Sequence, residues 1–457
     1  MRGTRRLGVL GALGAFLGVG AFLPATASAG IHASSTTTTI APGLTLTKVS
    51  DPAGPYQIRI LTVDPKKAVS VDVATAGKAI GAYAYTSRIA PNVGALAAIN
   101  GDFSVYPGRP VHMLMDDGTL MQSGIQSGTA FSEAQNELQG FVGSPAVNVA
   151  GSTVGVTGSD FAVNTWNSGA PGSDGIAAFT PYGGSAERPP SNACAVRLSA
   201  STKLKWTSSG QTKLTRDYTV DAAGCASSAM TFGKKGVIVL ASRSSGTGAS
   251  TLKKLSPGAA VRLTWTDGWT DSMDAIGGQP LLLSNGSVVA PATCGGDYFC
   301  MRNPRTGVGF APDGRVFMVT VDGRCSCSVG MTLVQFAKEF QSLGATWAIN
   351  LDGGGGTTMW VKGMGVVNRP SDTTGERPVT TALVVLPGPD PREPVPGFAS
   401  LGVRPVTDVA VGPMLARQAG TLASTDPGST GGLFQAMDGG WLGCAVSRCS
   451  AGPPLHR

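Results

Sequence analysis

Two short apolar runs of the chain end in the same polar phrase. The first reads Ala-Ile-Asn-Gly-Asp at 98–102, and the second reads Ala-Ile-Asn-Leu-Asp at 348–352. Successive side chains of a strand point to opposite faces, so each aspartate should share a face with its own asparagine. The second phrase continues into four glycines at 353–356, which let the backbone come close to a ligand. The pattern predicts two strand ends that form two halves of one polar site.

The remaining pattern predicts many short strands and few helices. A helix is expected at 333–343, where apolar residues recur at helical spacing. Thr332 and Gln335 form its capping box, and Gly344 is placed to end it. A shorter helix is expected around 83–89. The clearest strands are predicted at 57–63, 69–73, 96–100, 237–240, 261–265, 316–321, 347–351 and 381–386.

Helix, strand and Asn-x-Asp thus occur twice in the same order, which supports an internal pseudo-repeat. The predicted fold class is α+β: one large mixed-sheet domain with few helices, flanked by a signal peptide and a Gly/Pro-rich C-terminal tail. Glycine makes up 65 of the 457 residues, in keeping with a body rich in strands and turns.

The two ends of the chain differ in composition from the middle. Basic residues, an apolar run and a small-residue cleavage site predict a secretory signal peptide at 1–29. Residues 30–43 are rich in serine and threonine and are expected to be disordered. One domain is predicted at 44–386, a Pro/Gly linker at 387–398 and a largely irregular tail at 399–457. We therefore expect a secreted or extracytoplasmic protein with no transmembrane anchor.

The charge distribution excludes one class of partner. The formal net charge is +7, charged residues are 14% of the chain, and no long basic run occurs. Nucleic-acid binding is therefore not expected. The sequence does not indicate an oligomeric state.

Eight cysteines suit an oxidising compartment. Cys194 with Cys225 and Cys444 with Cys449 are the natural neighbouring pairs. The four cysteines between 294 and 327 could pair locally or across two loops. Cross-loop pairing is favoured, because a Cys-Ser-Cys bridge at 325–327 closes a strained ring. A zinc site is the alternative, but the scarcity of histidines favours disulfides.

Polar residues gather at the predicted strand ends and in the loops that follow them. Asp352, Asp102 and Asp322 are the candidate catalytic residues, because carboxylates serve as acids, bases or nucleophiles at a sugar carbon. Arginines bind phosphate through paired hydrogen bonds. The set therefore indicates a ligand that contains both sugar and phosphate. The residues predicted to bind substrate or phosphate are Asn100, Arg305, Arg324, Asn350, Gly353, Gly354, Thr357, Asn368, Asp372, Glu376 and Arg377.

Simpler structural interpretations stand beside these functional ones. Asp322 precedes a glycine and fits a common turn equally well. Arg377 could do no more than neutralise Asp372. His112 lies alone in an apolar stretch and is interpreted as a buried, satisfied histidine; with three histidines in the chain, a histidine triad or zinc hydrolase is disfavoured. No cofactor is indicated with certainty, and a divalent cation such as calcium near Asp102 and Asp352 is left open.

Several longer motifs resemble those of the phosphodiester glycosidase family over roughly residues 45–386. They are the phrases at 98–103 and 348–355, Ile-Gly-Gly-Gln-Pro-Leu-Leu-Leu-Ser-Asn-Gly at 276–286, Asn-Pro-Arg-Thr-Gly-Val-Gly at 303–309, Val-Asp-Gly-Arg at 321–324 and Asn-Arg-Pro-Ser-Asp at 368–372 with Glu-Arg-Pro at 376–378. Two positions differ from the usual family pattern: Ser104 stands where a second phenylalanine is usual, and Gly356 and Thr357 follow the glycines where a serine is usual.

The resemblance implies hydrolysis of the bond between a sugar's anomeric carbon and a phosphate. The predicted function is a secreted hydrolase that cleaves a sugar-1-phosphodiester in envelope or extracellular glycans, with a carbohydrate phosphodiester as its partner. Two alternatives remain open: a non-catalytic glycan-binding or envelope-assembly module on the same scaffold, and a glycosidase that does not require phosphate.

Overall fold

The computed structural model describes residues 33–388, except for short gaps, and three short strands near the C-terminus. The gaps are 117–118, 125–128, 135–136, 144–147, 170–171, 173, 185, 203–204, 210, 226–229, 233–237, 267–271 and 295–297. The predicted signal peptide and most of the predicted linker lie outside the described residues.

Three α-helices occur in the described part of the chain: α1 (Thr86–Asn92), α2 (Thr247–Leu252) and α3 (Leu333–Ser342). The first half of the chain contributes strands β1 (Ser34–Ala41), β2 (Leu44–Asp51), β3 (Tyr56–Val63), β4 (Val69–Thr75), β5 (Ala97–Asn100), β6 (Ser104–Val105), β7 (Arg109–Pro110), β8 (Leu114–Asp116), β9 (Thr119–Gln122), β10 (Thr129–Ala134), β11 (Glu137–Gly143), β12 (Asn148–Thr153), β13 (Phe161–Val163), β14 (Thr165–Trp166), β15 (Ala177–Phe179), β16 (Cys194–Ala200), β17 (Lys205–Ser209) and β18 (Gln211–Cys225).

The second half contributes β19 (Ile238–Ser242), β20 (Ala260–Thr266), β21 (Ser272–Gly278), β22 (Leu281–Ser284), β23 (Ser287–Val288), β24 (Arg305–Phe310), β25 (Val316–Val321), β26 (Trp347–Asn350), β27 (Met359–Val361), β28 (Gly365–Val366), β29 (Thr381–Pro387), β30 (Leu433–Gln435), β31 (Trp441–Ala445) and β32 (Arg448–Ala451). The expectation of a strand-rich body with few helices is confirmed. Nearly all strand pairs are antiparallel, and β14 with β15 forms a parallel pair.

Two sheets facing each other form the part of the fold that carries the repeated phrase. An eight-stranded sheet has the order β1-β2-β3-β25-β24-β26-β22-β23, and a five-stranded sheet has the order β28-β27-β5-β29-β4. Side chains from both sheets share one buried core, with Leu61 and Ile349 from the first and Ile99, Met359 and Leu383 from the second. Because β5 and β26 lie in facing sheets, their polar ends come together.

Each of these sheets carries one helix on its outer face. Phe336 and Phe340 of α3 pack against Phe317 on the eight-stranded sheet, and Ile89 of α1 packs against Val384 on the five-stranded sheet. The result is a helix-sheet-sheet-helix arrangement in which each half of the pseudo-repeat supplies one helix and one strand. The capping box of α3 is present as predicted, with Thr332 accepting from the Gln335 amide.

The strands between 114 and 278 build two further sheets, which are antiparallel except for the β14–β15 pair. A nine-stranded sheet follows the path β13-β12-β20-β18-β16-β19-β15-β14, with β17 paired to β18. A five-stranded sheet has the order β11-β10-β21-β8-β9, and its strand β21 runs directly into the loop before β22. Leu198, Leu240 and Leu263 belong to the core of this half. This layer brings His112 and Gly277 beside the end of β5.

Two sequence expectations need correction at the start of the chain. Residues 34–41 form β1 rather than a disordered segment, because β-branched threonines suit a strand and β1 pairs in register with β2. The helix expected around 83–89 begins at Thr86. Ala84 instead exchanges backbone hydrogen bonds with Val379, at 2.9 and 2.8 Å, which keeps the segment before Thr86 extended.

The cysteines pair locally. The Cys194–Cys225 bridge is confirmed, and it joins opposite residues of β16 and β18. Cross-loop pairing of the next four is wrong, since the bridges are Cys294–Cys300 and Cys325–Cys327. The turn at 325–328 is closed by backbone hydrogen bonds of 3.2 and 3.1 Å, which hold the two cysteine Cα atoms 5.2 Å apart, within normal bridging range.

The tail contains a small three-stranded sheet of β30, β31 and β32. Cys444 lies opposite Cys449 in this sheet, in the register that the predicted pair requires. No helix in the described residues is long and apolar enough to cross a membrane.

Candidate active site

Direct hydrogen bonds join the two Asn-x-Asp phrases. The Asn100 side chain donates to the Asp352 carbonyl at 2.7 Å, and the Asp352 amide donates to the Gly101 carbonyl at 3.1 Å. The other end of the Asn100 side chain accepts from the Thr306 hydroxyl at 2.8 Å and the Thr358 amide at 3.0 Å. Asn100 is fully buried. It therefore fixes the two strand ends against each other.

The second asparagine has a similar structural role. Asn350 is buried, and its amide nitrogen donates to the carbonyls of Gln279 at 2.7 Å and Leu351 at 2.9 Å. These bonds attach the end of β26 to the loop that precedes β22. Both asparagines therefore hold the site together, and the buried Oδ1 of Asn350 has no hydrogen-bond partner within the described residues.

Asp352 lies at the centre of the site with part of its side chain exposed. Burial raises the pKa of Asp352 from 3.8 to about 7. The negative charges of Asp102 and Asp372 act in the same direction, while Arg377 and the Gly353 amide oppose them. A carboxyl group with this pKa changes its protonation state near neutral pH, as an acid–base or nucleophilic group requires.

The glycine run is required by close contacts on both sides. A Cβ atom on Gly356 would lie 2.5 Å from Asp352 Oδ2, and one on Gly355 would overlap the side chains of Asp372 and Arg377. Gly353 and Gly354 pack against the backbone of Pro304, whose carbonyl accepts from the Gly354 amide at 2.9 Å. The run thus leaves the space around Asp352 free of side chains.

Asp102 lies at the end of β5 in a buried pair with His112. Oδ1 of Asp102 is 2.6 Å from Nδ1 of His112, and Oδ2 accepts from the His112 amide at 2.8 Å. The Asp102 amide donates to the Thr381 hydroxyl at 3.0 Å. The interpretation of His112 as buried is confirmed. Its partner, however, is a carboxylate whose charge reaches Asp352.

Arg377 and Asp372 form a two-point ion pair beside Asp352. Arg377 donates from Nε at 2.7 Å and from Nη2 at 3.1 Å to the two Asp372 carboxylate oxygens. Both side chains are about a quarter exposed. Glu376 accepts from the Ser87 amide at 2.8 Å, in the first turn of α1. Glu376 therefore stabilises a helix start, whereas the Arg377–Asp372 pair borders the site.

Asp322 organises the loop that follows the glycines. It is buried at the end of β25, and its Oδ1 accepts from the Arg369 amide at 2.9 Å and the Asn368 side chain at 3.3 Å. Asn368 also contacts the Met359 amide and the Thr357 carbonyl. Burial raises the pKa of Asp322, against the effect of these donors. Asp322 and Asn368 thus support the loop, and Thr357 is buried behind it.

Two arginines lie on the side of the site formed by residues 298–305. Arg305 is fully buried and donates to the carbonyls of Met331, Phe299 and Met301 at 2.9, 2.8 and 2.6 Å. Burial lowers the pKa of Arg305 to about 10; the charge of Tyr298 acts against this shift and the charge of Arg324 adds to it. These bonds use Nε and Nη2, whereas the buried Nη1 of Arg305 has no hydrogen-bond partner within the described residues.

Arg324 is the more accessible of the two. It is half-buried, lies over the Tyr298 ring at 5.8 Å from guanidinium carbon to centroid, and donates to Asn303 Oδ1 at 3.2 Å. Its backbone φ is +60°, in a region that non-glycine residues rarely adopt. Residues held in such conformations are enriched at functional sites.

Aromatic side chains that the sequence analysis did not single out surround this site. Phe103 contacts both the His112 ring and the Phe299 ring, which links the carboxylates to the arginine side. Tyr83 is 43% exposed, and its hydroxyl interacts with Ser104. Burial raises the pKa of Tyr83, and the charge of Asp352 adds to this effect. Alternating tyrosines at 83 and 85 in an extended segment are the sequence signal that could have found it.

A separate group of carboxylates could hold a cation. Ligand atoms of Asp72, Asp116 and Asp274 lie within 4.8 Å of one another. In the part of the chain that the structure describes, this is the group with metal-ligand spacing, and it does not include Asp102 or Asp352.

Similar proteins agree with this picture of the fold. A crystal structure of a hypothetical protein from Synechocystis has a TM-score of 0.60 at 21% identity, covering 77% of this chain and 63% of that one. A putative exported protein from Burkholderia pseudomallei K96243 has a TM-score of 0.58 at 17% identity, covering 78% and 97%. At these identities the likeness shows the fold alone.

Sequence comparison reaches a family. An uncharacterized SPbeta prophage-derived protein of Bacillus subtilis (strain 168), YomE, is 34% identical over 90 residues, which are 20% of this chain and 14% of that protein. This chain therefore spans only a small part of that curated relative. The model of the family described as phosphodiester glycosidase matches residues 215–386, which include the motifs at 303–309, 321–324 and 348–355. The resemblance drawn from the motifs is confirmed over residues 215–386, which match the phosphodiester glycosidase family model; the match does not include the motif at 98–103.

Proposed function

We propose that this protein is a secreted hydrolase that cleaves the anomeric carbon–oxygen bond of a sugar-1-phosphodiester in envelope or extracellular glycans. The observation that carries the proposal is the meeting of Asp352 and Asp102 at two joined strand ends, with Asp352 partly exposed and its pKa raised to about 7. Two carboxylates that flank one reaction centre are the usual means of cleaving a glycosidic bond.

In this proposal Asp352 is the group that acts at the sugar carbon. Its ionised form is a nucleophile or a base for water, and its negative charge stabilises the positive charge that develops on the sugar in the transition state. The leaving group is a phosphate monoester, which departs without the protonation that a sugar alcohol needs. A general acid is therefore less important here than cations that bind the phosphate.

Arg324 is the best-placed phosphate ligand. Arg305 is occupied by three backbone carbonyls, and Arg377 is held by Asp372. Arg324 is half-buried and lies over the ring of Tyr298, next in sequence to Phe299, whose ring contacts Phe103. A planar guanidinium can grip two phosphate oxygens at once. The phosphate would lie on the Arg324 side and the sugar on the Tyr83 side of Asp352.

The exposed tyrosine suits a sugar ligand. An aromatic face offers a flat apolar surface, and its hydroxyl offers a polar edge, which matches the mixed surface of a sugar ring. Three disulfides in the described residues and the likeness to a protein described as exported support a location outside the cytoplasm.

The experiment that tests this function is a substrate panel on the purified mature protein. Sugar-1-phosphodiesters that differ in sugar, anomer and acceptor are compared with aryl glycosides of the same sugars and with simple phosphodiesters. Turnover of the sugar-1-phosphodiesters alone, lost in a folded Asp352→Asn variant, supports the proposal. Turnover of the glycosides instead supports a glycosidase without a phosphate requirement, and ligand binding without turnover supports a binding module.

The panel should be repeated with a chelator. Because the Asp72, Asp116 and Asp274 group contains neither Asp102 nor Asp352, we expect that removing a cation there would change stability before it changed the chemistry. A lower melting temperature with retained turnover at low temperature would support this expectation. Loss of turnover in a fully folded protein would place a cation in the reaction.

A further inference from the structure

A closed pair of His112 and Asp102 lies beside the proposed reaction centre. The imidazole and the carboxylate are each 1% exposed, with 2.6 Å between Nδ1 and Oδ1. The backbone amide of His112 donates to the other carboxylate oxygen at 2.8 Å. One residue therefore fixes both oxygens of Asp102, so the carboxylate has no freedom to rotate.

Neighbouring elements hold the imidazole in place. A Cβ on Gly277 of β21 would overlap the His112 side chain, so the glycine there makes room for it. The Phe103 ring packs edge-on at 6.3 Å between centroids. Gln122 of β9 donates to the His112 carbonyl at 3.2 Å, and the Gln279 side chain approaches the imidazole. The surrounding residues therefore fit a histidine side chain more closely than they would at an ordinary core position.

Charge connects the pair to Asp352. Burial would lower the pKa of His112, but the charge and hydrogen bond of Asp102 outweigh it, so the pKa is raised overall. In the described residues Asp102 is the charged group that acts on His112. The charged groups that act on Asp352 are Arg377, Asp102 and Asp372. Asp102 is thus the link between the imidazole and Asp352.

We propose that His112 is a positioning residue that acts on the reaction through Asp102, fixing its carboxylate and offsetting its charge beside Asp352. When His112 carries its proton the pair has no net charge. When the proton is lost the pair carries one negative charge, which opposes ionisation of Asp352. This inference rests on the proposed function, because it takes ionised Asp352 as the reactive form.

The test is a His112→Asn variant, which keeps a side-chain N–H donor for Asp102 but cannot take up a proton. The acid limb of the pH profile of kcat/KM should move to higher pH by on the order of one unit. Asp102→Asn should move it the other way. Adding His112→Asn to Asp102→Asn should then move it no further, because the link is gone. A merely structural histidine would lower stability or kcat without moving the midpoint.

A second readout does not depend on turnover. The Asp352 carboxyl carbon is followed by NMR in protein labelled with carbon-13 aspartate, with the signal assigned by its loss in Asp352→Asn. A higher titration midpoint in folded His112→Asn or His112→Gln supports the inference. An unchanged midpoint in both folded variants would overturn it. A shifted midpoint in a protein that hydrolyses no sugar-1-phosphodiester would support the coupling while refuting the proposed function, so the two failures are distinguishable.

Discussion

Replacing Asp352 by asparagine should make the protein more stable at neutral and alkaline pH. The pKa of Asp352 is raised in the folded protein to about 7, against 3.8 for the free group. Between these two values the unfolded chain has released this proton while the folded chain still holds it. Stability therefore falls as the pH rises from about 4 to about 7 and is constant above that range.

The difference of about 3 pKa units corresponds to on the order of 4 kcal/mol, at about 1.4 kcal/mol per unit. Asparagine resembles the protonated acid in shape and carries no charge. The gain in unfolding free energy of Asp352→Asn should therefore be near zero at pH 4 and approach its full value above pH 7. Such a gain is the stability that an active site gives up to keep a reactive group in place.

Urea unfolding of the parent and the variant at several pH values between 4 and 8 measures this directly. Asp160→Asn is the control, because it removes one negative charge from an exposed position. A gain for Asp352→Asn that rises with pH and is absent in the control supports the reasoning. A gain that does not change with pH, or a loss of stability at pH 8, would refute it.

Three further variants test the surroundings of Asp352. Arg324→Lys should lower kcat/KM about 10-fold to 100-fold, because charge-assisted hydrogen bonds are worth about 1.5–3 kcal/mol. Parental rates would show that the phosphate binds elsewhere. The control is Arg302→Lys at an exposed position. Tyr83→Ala should raise KM several-fold at nearly constant kcat, because an aromatic contact is worth about 1 kcal/mol. Tyr83→Phe should keep most of the affinity. Equal effects of the two variants would contradict a contact between the ring and the sugar. Asn100→Ala should lower the unfolding free energy by on the order of 3 kcal/mol, because Thr306, Thr358 and the Asp352 carbonyl each lose a buried partner. An unchanged unfolding free energy in urea would contradict the role of Asn100 in joining the two strand ends.

Much of the fold could be predicted from local sequence patterns. The apolar runs at 57–63 and 316–321 and the capping box at Thr332 each depend on residues close in sequence, and the structure places β3, β25 and α3 there. The repeated Asn-x-Asp phrase predicted two equivalent strand ends. Their meeting depends on β5 and β26 lying in facing sheets, and the two copies differ in their bonds: Asn100 bonds to the Asp352 carbonyl, whereas Asn350 bonds to Gln279 and Leu351.

The features of the site that could not be predicted from the sequence depend on contacts between residues distant in the chain or in other strands. His112 looked like an ordinary core histidine because its meaning depends on Asp102, ten residues away, and on the space left by Gly277 in another strand. The roles of Arg305 and Glu376 were likewise decided by backbone groups distant in the chain. Cysteine pairing depended on a turn whose backbone hydrogen bonds bring Cys325 and Cys327 within bridging distance.

The central claim is that Asp352 acts at the sugar carbon, and hydrolysis in oxygen-18 water tests it most directly. A sugar-1-phosphodiester that the protein turns over is hydrolysed in labelled water, and both products are analysed by mass spectrometry. Attack at the anomeric carbon places the label in the free sugar and none in the phosphate monoester, which is the result we predict. Label in the phosphate would show that the phosphorus–oxygen bond breaks, and would contradict the assignment of Asp352 to the sugar carbon.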